Sequence, residues 1–290
     1  MASSTVVLPQ PSAIGQVNHI LPQSFVDGPG NRCVIFLQGC SFNCLYCHNP
    51  FTINLCTSCG ICVAYCPSGA LSIQDGLVSW NEEVCTGDDT CIKTCPSSSS
   101  PKVKQYTPQA LWQAVLPFTP FLSGISVSGG EPALQMDFLA RFFQLVKSSS
   151  ALTTLIETNG FAGPEAYIPL LPYLDMALVD LKIMDEQKHK QLTGHEITNV
   201  LQTIRSLHIS DKLKGVNEVI IPGFHTEAEV ARAASFLAEI DPAIPFRLLR
   251  FRPHGTSGPA LGWESPSEEK MDRFVALAQA QGLQNVSRSL

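Results

Sequence analysis

The sequence predicts an α/β protein built on a parallel sheet that curls into a full or partial barrel, with a cysteine-rich block inserted near its start. Apolar, strand-like runs alternate with amphipathic segments from residue 33 onward, as in repeated βαβ units. All eleven cysteines lie between Cys33 and Cys95. Polar motifs such as 128–131 and 158–160 follow predicted strands, and ligands bind at that edge of such sheets.

The predicted strands are short and apolar, as expected for strands buried between helices. They cover residues 33–37, 124–128, 152–157, 175–181, 216–222 and 246–251. Helices are expected over residues 110–118, 134–148, 226–240 and 267–280. Thr107 and Pro108 suit the N-cap and first position of the first of these helices.

The cysteine-rich block is predicted to be a separate unit over residues 52–102, and residues 1–51 and 103–290 form the main domain. The polar run 96–101 is typical of a linker at the end of the block.

Composition excludes several classes of protein. The chain has 290 residues and a net charge of −6, which argues against a dedicated nucleic-acid binder. No apolar run approaches the roughly 18 residues of a membrane-spanning helix. Residues 1–16 lack a secretory signal, so closely spaced cysteines favour metal or redox centres over disulfides. We therefore expect a cytoplasmic metalloprotein without membrane or nucleic-acid partners.

Three cysteines share one loop: Cys40, Cys44 and Cys47. On a helix they would form one stripe, but the neighbouring Gly39 and the pair 49–50 (Asn-Pro) oppose a continuous helix. Thiolates suit iron–sulfur clusters or zinc, and structural zinc requires four ligands. Three cysteines would leave one iron of a cubane open to a substrate.

This loop resembles a known signature. The C-x3-C-x2-C spacing, with Tyr46 before the last cysteine, is similar to that of the radical S-adenosylmethionine (SAM) superfamily. The chain resembles the glycyl-radical-enzyme activases of the pyruvate formate-lyase activating enzyme group, and among them the YjjW-type activases, whose motif order includes a ferredoxin insert. The matching segments are 25–32, 38–40, 46–50, 127–131, 157–161, 180–182 and 192–194.

The resemblance implies a partial (β/α)6 radical SAM barrel with an inserted bacterial two-cluster ferredoxin-like domain. Cys40, Cys44 and Cys47 would hold a 4Fe-4S cluster, and SAM would complete its fourth iron. Reductive cleavage of SAM would give a 5′-deoxyadenosyl radical that takes hydrogen from a glycine of a partner glycyl radical enzyme. A flavodoxin- or ferredoxin-type protein would supply the low-potential electron.

The resemblance also implies which residues bind SAM, and five of them have a simpler alternative. Glu131 could serve a helix N-terminus, Asp180 and Lys182 a structural ion pair, Tyr46 packing, and His254 a loop. The full set is Tyr46, Cys47, His48, Gly129, Gly130, Glu131, Glu157, Asp180, Leu181, Lys182 and His254.

Four positions carry additional expectations. Glu157 stands where these activases often have aspartate, which leaves open whether it supports a cation site beside the SAM carboxylate. Asp27 and Arg32 flank an Asp-Gly-Pro-Gly segment and would meet the partner's glycine loop; turn formation is the alternative. Cys33, within a predicted strand, is expected to be a small buried residue.

The inserted block contains a bacterial ferredoxin run, followed by a predicted hairpin over 71–79 and an incomplete second run. Because the fourth cysteine of each run serves the other cluster, one cluster would take Cys56, Cys59, Cys62 and Cys95. The companion would take Cys66, Cys85 and Cys91, with Asp88 at the position of the missing cysteine.

That companion cluster is expected to be atypical. It would be a 4Fe-4S cluster with a carboxylate or water ligand, or a 3Fe-4S cluster; alternatively Asp88 faces solvent and the cluster has been lost. Both clusters would relay electrons to the radical loop. Two other functions stay open: a radical SAM enzyme acting on a small molecule or other peptide, and an iron–sulfur electron carrier.

Overall fold

The computed structural model describes residues 13–289, and its framework is one mixed sheet with nine strands within that range. The strand order is β11-β10-β9-β8-β7-β6-β2-β1-β5. Its strands are β1 (Gly15–Ser24), β2 (Arg32–Leu37), β5 (Lys104–Tyr106), β6 (Gly124–Gly129), β7 (Thr153–Thr158), β8 (Met176–Asp180), β9 (Leu213–Ile220), β10 (Phe246–Arg250) and β11 (Val286–Arg288).

The central part of the sheet is parallel. Strands β2, β6, β7, β8, β9 and β10 pair in chain order, and β11 adds a parallel edge. Strands β1 and β5 pair antiparallel beyond β2, so the sheet stays open within the described residues. The predicted α/β fold with a central parallel sheet is confirmed.

All six predicted strands form, but β1 and the edge strands β5 and β11 were not predicted. β1 contains Pro22 and is only partly buried, and β5 and β11 have three residues each. Such segments lack the continuous apolar run of a strand buried on both faces.

Helices follow the strands and cover the outer face of the sheet. They are α2 (Pro108–Val115), α3 (Met136–Ser149), α4 (Glu186–Thr193), α5 (Thr198–Ile209), α6 (Glu227–Ile240) and α7 (Glu268–Ala280). The Thr107 side chain accepts a hydrogen bond from Ala110 N, which confirms the predicted N-cap. The four predicted helices form; α4 and α5 were missed, and α4 is largely polar.

The core lies between the sheet and these helices. Phe142 of α3 is fully buried and packs against Phe138 and Phe143, with ring centroids 6.3 and 6.0 Å away. Cys33 is also fully buried in this core, as expected.

The cysteine-rich segment forms a small structure of its own. Strands β3 (Leu71–Gln74) and β4 (Leu77–Trp80) pair as the predicted hairpin, and helix α1 (Thr90–Lys93) follows. The turn residues Asp75 and Gly76 both have positive φ, as a two-residue hairpin turn requires.

The expectations about membrane-spanning helices and about a secretory signal concern different parts of the chain. Across residues 13–289, no helix is long and apolar enough to cross a membrane. The expected lack of a secretory signal rests mainly on residues 1–12, which lie outside the described range.

Phe142→Ala is expected to lower the free energy of unfolding by about 3–5 kcal/mol, because it leaves a cavity in a packed core. The control is Phe121→Ala, since that side chain is 75% exposed. Denaturant titration followed by circular dichroism compares the two; equal losses would contradict this description of the core.

Candidate functional site

A cavity of about 190 Å³ opens at the carboxyl ends of the central strands. Every predicted SAM-binding residue except Leu181 and His254 lies in its wall. The wall is formed by Cys40, Phe42, Cys44, Tyr46, Cys47, His48, Thr52, Ile53, Ser128, Gly129, Gly130, Glu131, Glu157, Thr158, Asn159, Asp180, Lys182 and Val219.

The cysteine loop leaves β2 and is held by backbone hydrogen bonds rather than by a helix. Cys40 N donates to Ile53 O over 3.0 Å, and Asn43 N donates to Thr193 O over 2.9 Å. Between them, Phe42 is buried against three aromatic rings, among them Phe161 at 5.4 Å. All three thiols therefore line one cavity.

The thiols suit a bound cluster by their chemistry. Burial raises the pKa of Cys40 to about 12 and that of Cys44 to about 11, so both are protonated when nothing is bound. Within residues 13–289, no three His, Cys, Asp or Glu side chains converge to hold a single metal ion. A cubane separates its ligands over different irons, so three soft donors around one cavity fit that group.

Gly129 and Gly130 are required by the chain itself. A Cβ at Gly129 would lie 2.3 Å from Leu37 N, and one at Gly130 would lie 2.0 Å from Gly39 O. Both glycines therefore allow a close approach to the segment that enters the cysteine loop.

Glu131 joins two strand ends beneath the cavity. It is 1% exposed, and its carboxylate accepts hydrogen bonds from Ala133 N, Thr158 Oγ1 and Asn159 N at 2.9, 2.6 and 2.8 Å. The hydrogen bond from Ala133 N caps a short 3₁₀ helix. Glu131 therefore also has the role that the alternative interpretation gave it, that of an acid at a helix N-terminus. Burial raises the pKa of Glu131.

Asp180 and Lys182 project into the cavity as a pair, with 3.0 Å between Oδ2 and Nζ. Lys182 Nζ also lies 5.9 Å from the ring centre of Tyr46, which is 4% exposed. Burial opposes the charge of Lys182, but Asp180 holds the Lys182 pKa above its ordinary value. This lysine is therefore the cation of the site.

Glu157 accepts a hydrogen bond from Ser128 Oγ at 2.8 Å. Burial, and then the negative charge of Asp180, raise the pKa of Glu157 to about 7.

Ser128, Asn159 and Thr158 also line the cavity but were not singled out as binding residues. Their positions directly beside predicted residues at strand ends were the available signal.

Two predicted residues lie outside the wall. The Leu181 side chain is fully buried in the main core, because alternation along the chain points it away from the side that Asp180 and Lys182 face. His254 is exposed in the loop after β10; burial, more than this neighbouring histidine, lowers the pKa of His48.

Asp27 and Arg32 differ from each other in exposure. The Asp27 carboxylate accepts a hydrogen bond from Ser24 Oγ and stays partly exposed. Arg32 is 0% exposed. The expected contact between Arg32 and a partner is corrected accordingly, because its guanidinium is enclosed by β6 and β7 and faces no solvent.

The seven cysteines of the segment 52–102 line two small cavities. One contains Cys56, Cys59, Cys62, Cys91 and Cys95 together with neighbouring residues. The other contains Cys66, Cys85, Asp88 and Cys91. Asp88 therefore lies beside these cysteines, while its carboxylate accepts hydrogen bonds from Thr90 N and Thr86 Oγ1 at 2.8 and 2.7 Å.

Comparison with known proteins decides the family. The model of a family described as a 4Fe-4S single cluster domain matches residues 26–201. The chain belongs to this family. The matched stretch of the 4Fe-4S single cluster domain contains all eleven cysteines and the strands β2 to β8. The family description names one cluster, and nothing in it extends to the two further clusters expected in 52–102.

Curated relatives are similar over most of the chain. The isethionate sulfite-lyase activating enzyme of Nitratidesulfovibrio vulgaris is 29% identical over 263 residues, covering 82% of this chain and 84% of that protein. The pyruvate formate-lyase-activating enzyme of Staphylococcus aureus is 27% identical over 251 residues, covering 83% and 82%. These names confirm the resemblance to glycyl-radical-enzyme activases.

The fold also matches a solved structure. QueE from Escherichia coli superposes with a TM-score of 0.53 at 13% identity, covering 95% of this chain and 94% of that one. At this identity the likeness concerns the fold alone.

Gly130→Ala is expected to lower the free energy of unfolding by about 1–3 kcal/mol and to reduce iron uptake, because the new methyl group displaces the backbone of Gly39. Gly262→Ala is the control, since nothing lies within 4 Å of that position. Thermal unfolding and iron content after anaerobic reconstitution are measured. Two variants that behave alike would contradict the close approach.

Proposed function

We propose that this protein is a radical SAM activating enzyme that installs a glycyl radical on a partner enzyme. The observation that carries the proposal is the meeting of three cysteines, a Gly-Gly-Glu turn and the Asp180–Lys182 pair around one cavity. With a 4Fe-4S cluster and SAM bound, this site supplies reductive cleavage of SAM and abstraction of hydrogen from a glycine.

The wall residues divide the binding of SAM between them. Cys40, Cys44 and Cys47 hold the cluster and release their protons to do so, since burial keeps the thiols protonated beforehand. The strand end at Gly129 and Gly130 presents backbone acceptors to the methionine ammonium. The Lys182 ammonium provides the positive charge for the carboxylate end or an adenosine acceptor.

A second cavity supports a partner that enters from the opposite end of the strands. It measures about 350 Å³ and is lined by Phe25, Val26, Leu178 and Asn217, among others. Leu178 lies two residues before Asp180 on β8, and Asn217 donates to Asp180 Oδ1 over 3.4 Å. Residues two apart on a strand share a face, so this cavity lies directly below the first. Asp27 lies at its rim and is proposed to contact the partner's glycine loop.

The segment 52–102 is proposed to be a ferredoxin-like unit that relays electrons from an external flavodoxin- or ferredoxin-type donor. Its two cavities group the cysteines as the shared-ligand rule expects, except that Cys91 borders both. The unit is closely connected to the cysteine loop. Ser99 Oγ of the unit and Gln38 Nε2, which lies just before the cysteine loop, both donate to Asn54 O, at 2.8 and 2.6 Å. A cytoplasmic location agrees with cysteines that form no disulfide within residues 13–289.

The two other functions make different demands. An electron carrier has no need of the Asp180–Lys182 pair in a cavity beside the cysteine loop. A radical SAM enzyme with a small substrate has no need of the open lower cavity and its exposed rim, where Phe25 and Val26 are 74% and 73% exposed. Both features favour an activase with a protein partner.

Cys40→Ala is expected to reduce formation of 5′-deoxyadenosine from SAM to background, because the cluster loses one of its three protein ligands. Cys33→Ala is the matched control, since that thiol is buried in the core away from the cavity. Anaerobic assays with dithionite as reductant measure the product. Retained cleavage in Cys40→Ala would contradict the proposed role of the loop.

Asp88→Cys is expected to suppress the three-iron signal in electron paramagnetic resonance of the oxidised protein, because a thiolate retains the fourth iron more firmly than a carboxylate. Glu83→Cys adds a thiol at a nearby exposed position and serves as the control. An unchanged spectrum in Asp88→Cys would exclude Asp88 as the site of iron loss.

A further inference from the structure

We infer that Arg32 is a positioning residue: it fixes the wall 25–31 of the lower cavity, through which the partner's glycine reaches the cofactor. This inference rests on the proposed function. It replaces the expected direct contact of Arg32 with a partner by an action through the neighbouring turn.

All five N–H donors of Arg32 are used inside the protein. Nε donates to Ser126 Oγ at 2.7 Å, and the two terminal nitrogens donate to Ile125 O, Thr153 O, Thr153 Oγ1 and Pro29 O at 2.8, 3.1, 2.9 and 3.3 Å. The planar guanidinium thus connects the turn at residues 25–31 to both β6 and β7, which the single ammonium group of a lysine cannot do.

Ser126 extends this link to the turn. Its hydroxyl accepts from Arg32 Nε and donates to Asp27 O over 2.5 Å. Arg32 therefore holds the carbonyl of Pro29 directly and that of Asp27 through one hydroxyl. Gly28 packs in between, where a Cβ would lie 2.9 Å from Arg32 Cδ.

The position of Ser126 connects this anchor with the reaction. Ser126 and Ser128 stand two residues apart on β6 and face the same side, and Ser128 lines the upper cavity. At about 3.3 Å of rise per residue, the turn is anchored about 7 Å below that cavity. A displaced turn would change the path of a partner peptide without altering the cavity that binds SAM.

Two variants test the anchor, and Ser235→Ala is the control because its hydroxyl bonds Gln281 far from the site. Ser126→Ala removes one hydroxyl with little change of volume. Arg32→Lys keeps the positive charge but loses the several N–H donors of the guanidinium. Hydrogen exchange of the backbone amides of Val26 and Ser123, which donate to Ser24 Oγ and to Asn31 O, is expected to rise at least about fivefold in both variants, and to stay unchanged in the control.

The functional arm uses a short peptide with a central glycine bearing two deuterium atoms on its α-carbon. Transfer of deuterium into 5′-deoxyadenosine reports hydrogen abstraction, and total 5′-deoxyadenosine without peptide reports SAM cleavage. The variants are expected to lower the second-order rate of transfer about tenfold and to leave SAM cleavage without peptide within about twofold, since one or two hydrogen bonds are lost.

The outcomes separate the two hypotheses. If the wild-type protein cleaves SAM but transfers no deuterium, the proposed function is contradicted. The hydrogen-exchange data alone then decide whether Arg32 holds the turn in place. Unchanged exchange at Val26 and Ser123, or a loss of SAM cleavage equal to the loss of transfer, overturns the role of Arg32.

Discussion

The close contact between the end of β6 and the chain entering the cysteine loop is the constraint on which the site depends. Gly129 and Gly130 allow this contact because they have no side chains. Two hydrogen bonds hold it: Gly130 N donates to Leu37 O at 2.9 Å, and Glu131 N donates to Gly39 O at 2.7 Å. The loop and the strand end therefore form one unit. Glu131 extends that unit to β7, because its buried carboxylate also accepts from Asn159 N. Disturbing any of these contacts moves thiols and backbone acceptors together.

The charges of the cavity follow from its depth. Burial raises the pKa values of Glu131, Glu157 and the Cys40 and Cys44 thiols, so the depth of the cavity disfavours negative charge on these groups. Lys182 remains charged because Asp180 lies beside it. An anionic thiolate cluster would thus meet the Lys182 ammonium in a cavity whose depth disfavours further negative charge.

Much of the fold and of the site could be predicted from the sequence. Apolar runs located the parallel strands, since strands buried on both faces leave that pattern, and motif order located most of the cavity wall. Leu181 was misplaced although alternation with Asp180 already pointed it away from the cavity. Arg32 could not be predicted as buried, because its acceptors Ile125, Ser126 and Thr153 lie far along the chain and only the folded sheet brings them to it.

The junction of segment 52–102 with the sheet has a consequence for how such chains change. Asn54 and Ser99 pair as neighbouring parallel residues, so the chain leaves and re-enters the main body at almost the same point. A unit whose two ends adjoin can be gained, lost or exchanged with little rearrangement of its host. The cysteine-rich segment could therefore be exchanged without disturbing the sheet from which the three-cysteine loop emerges.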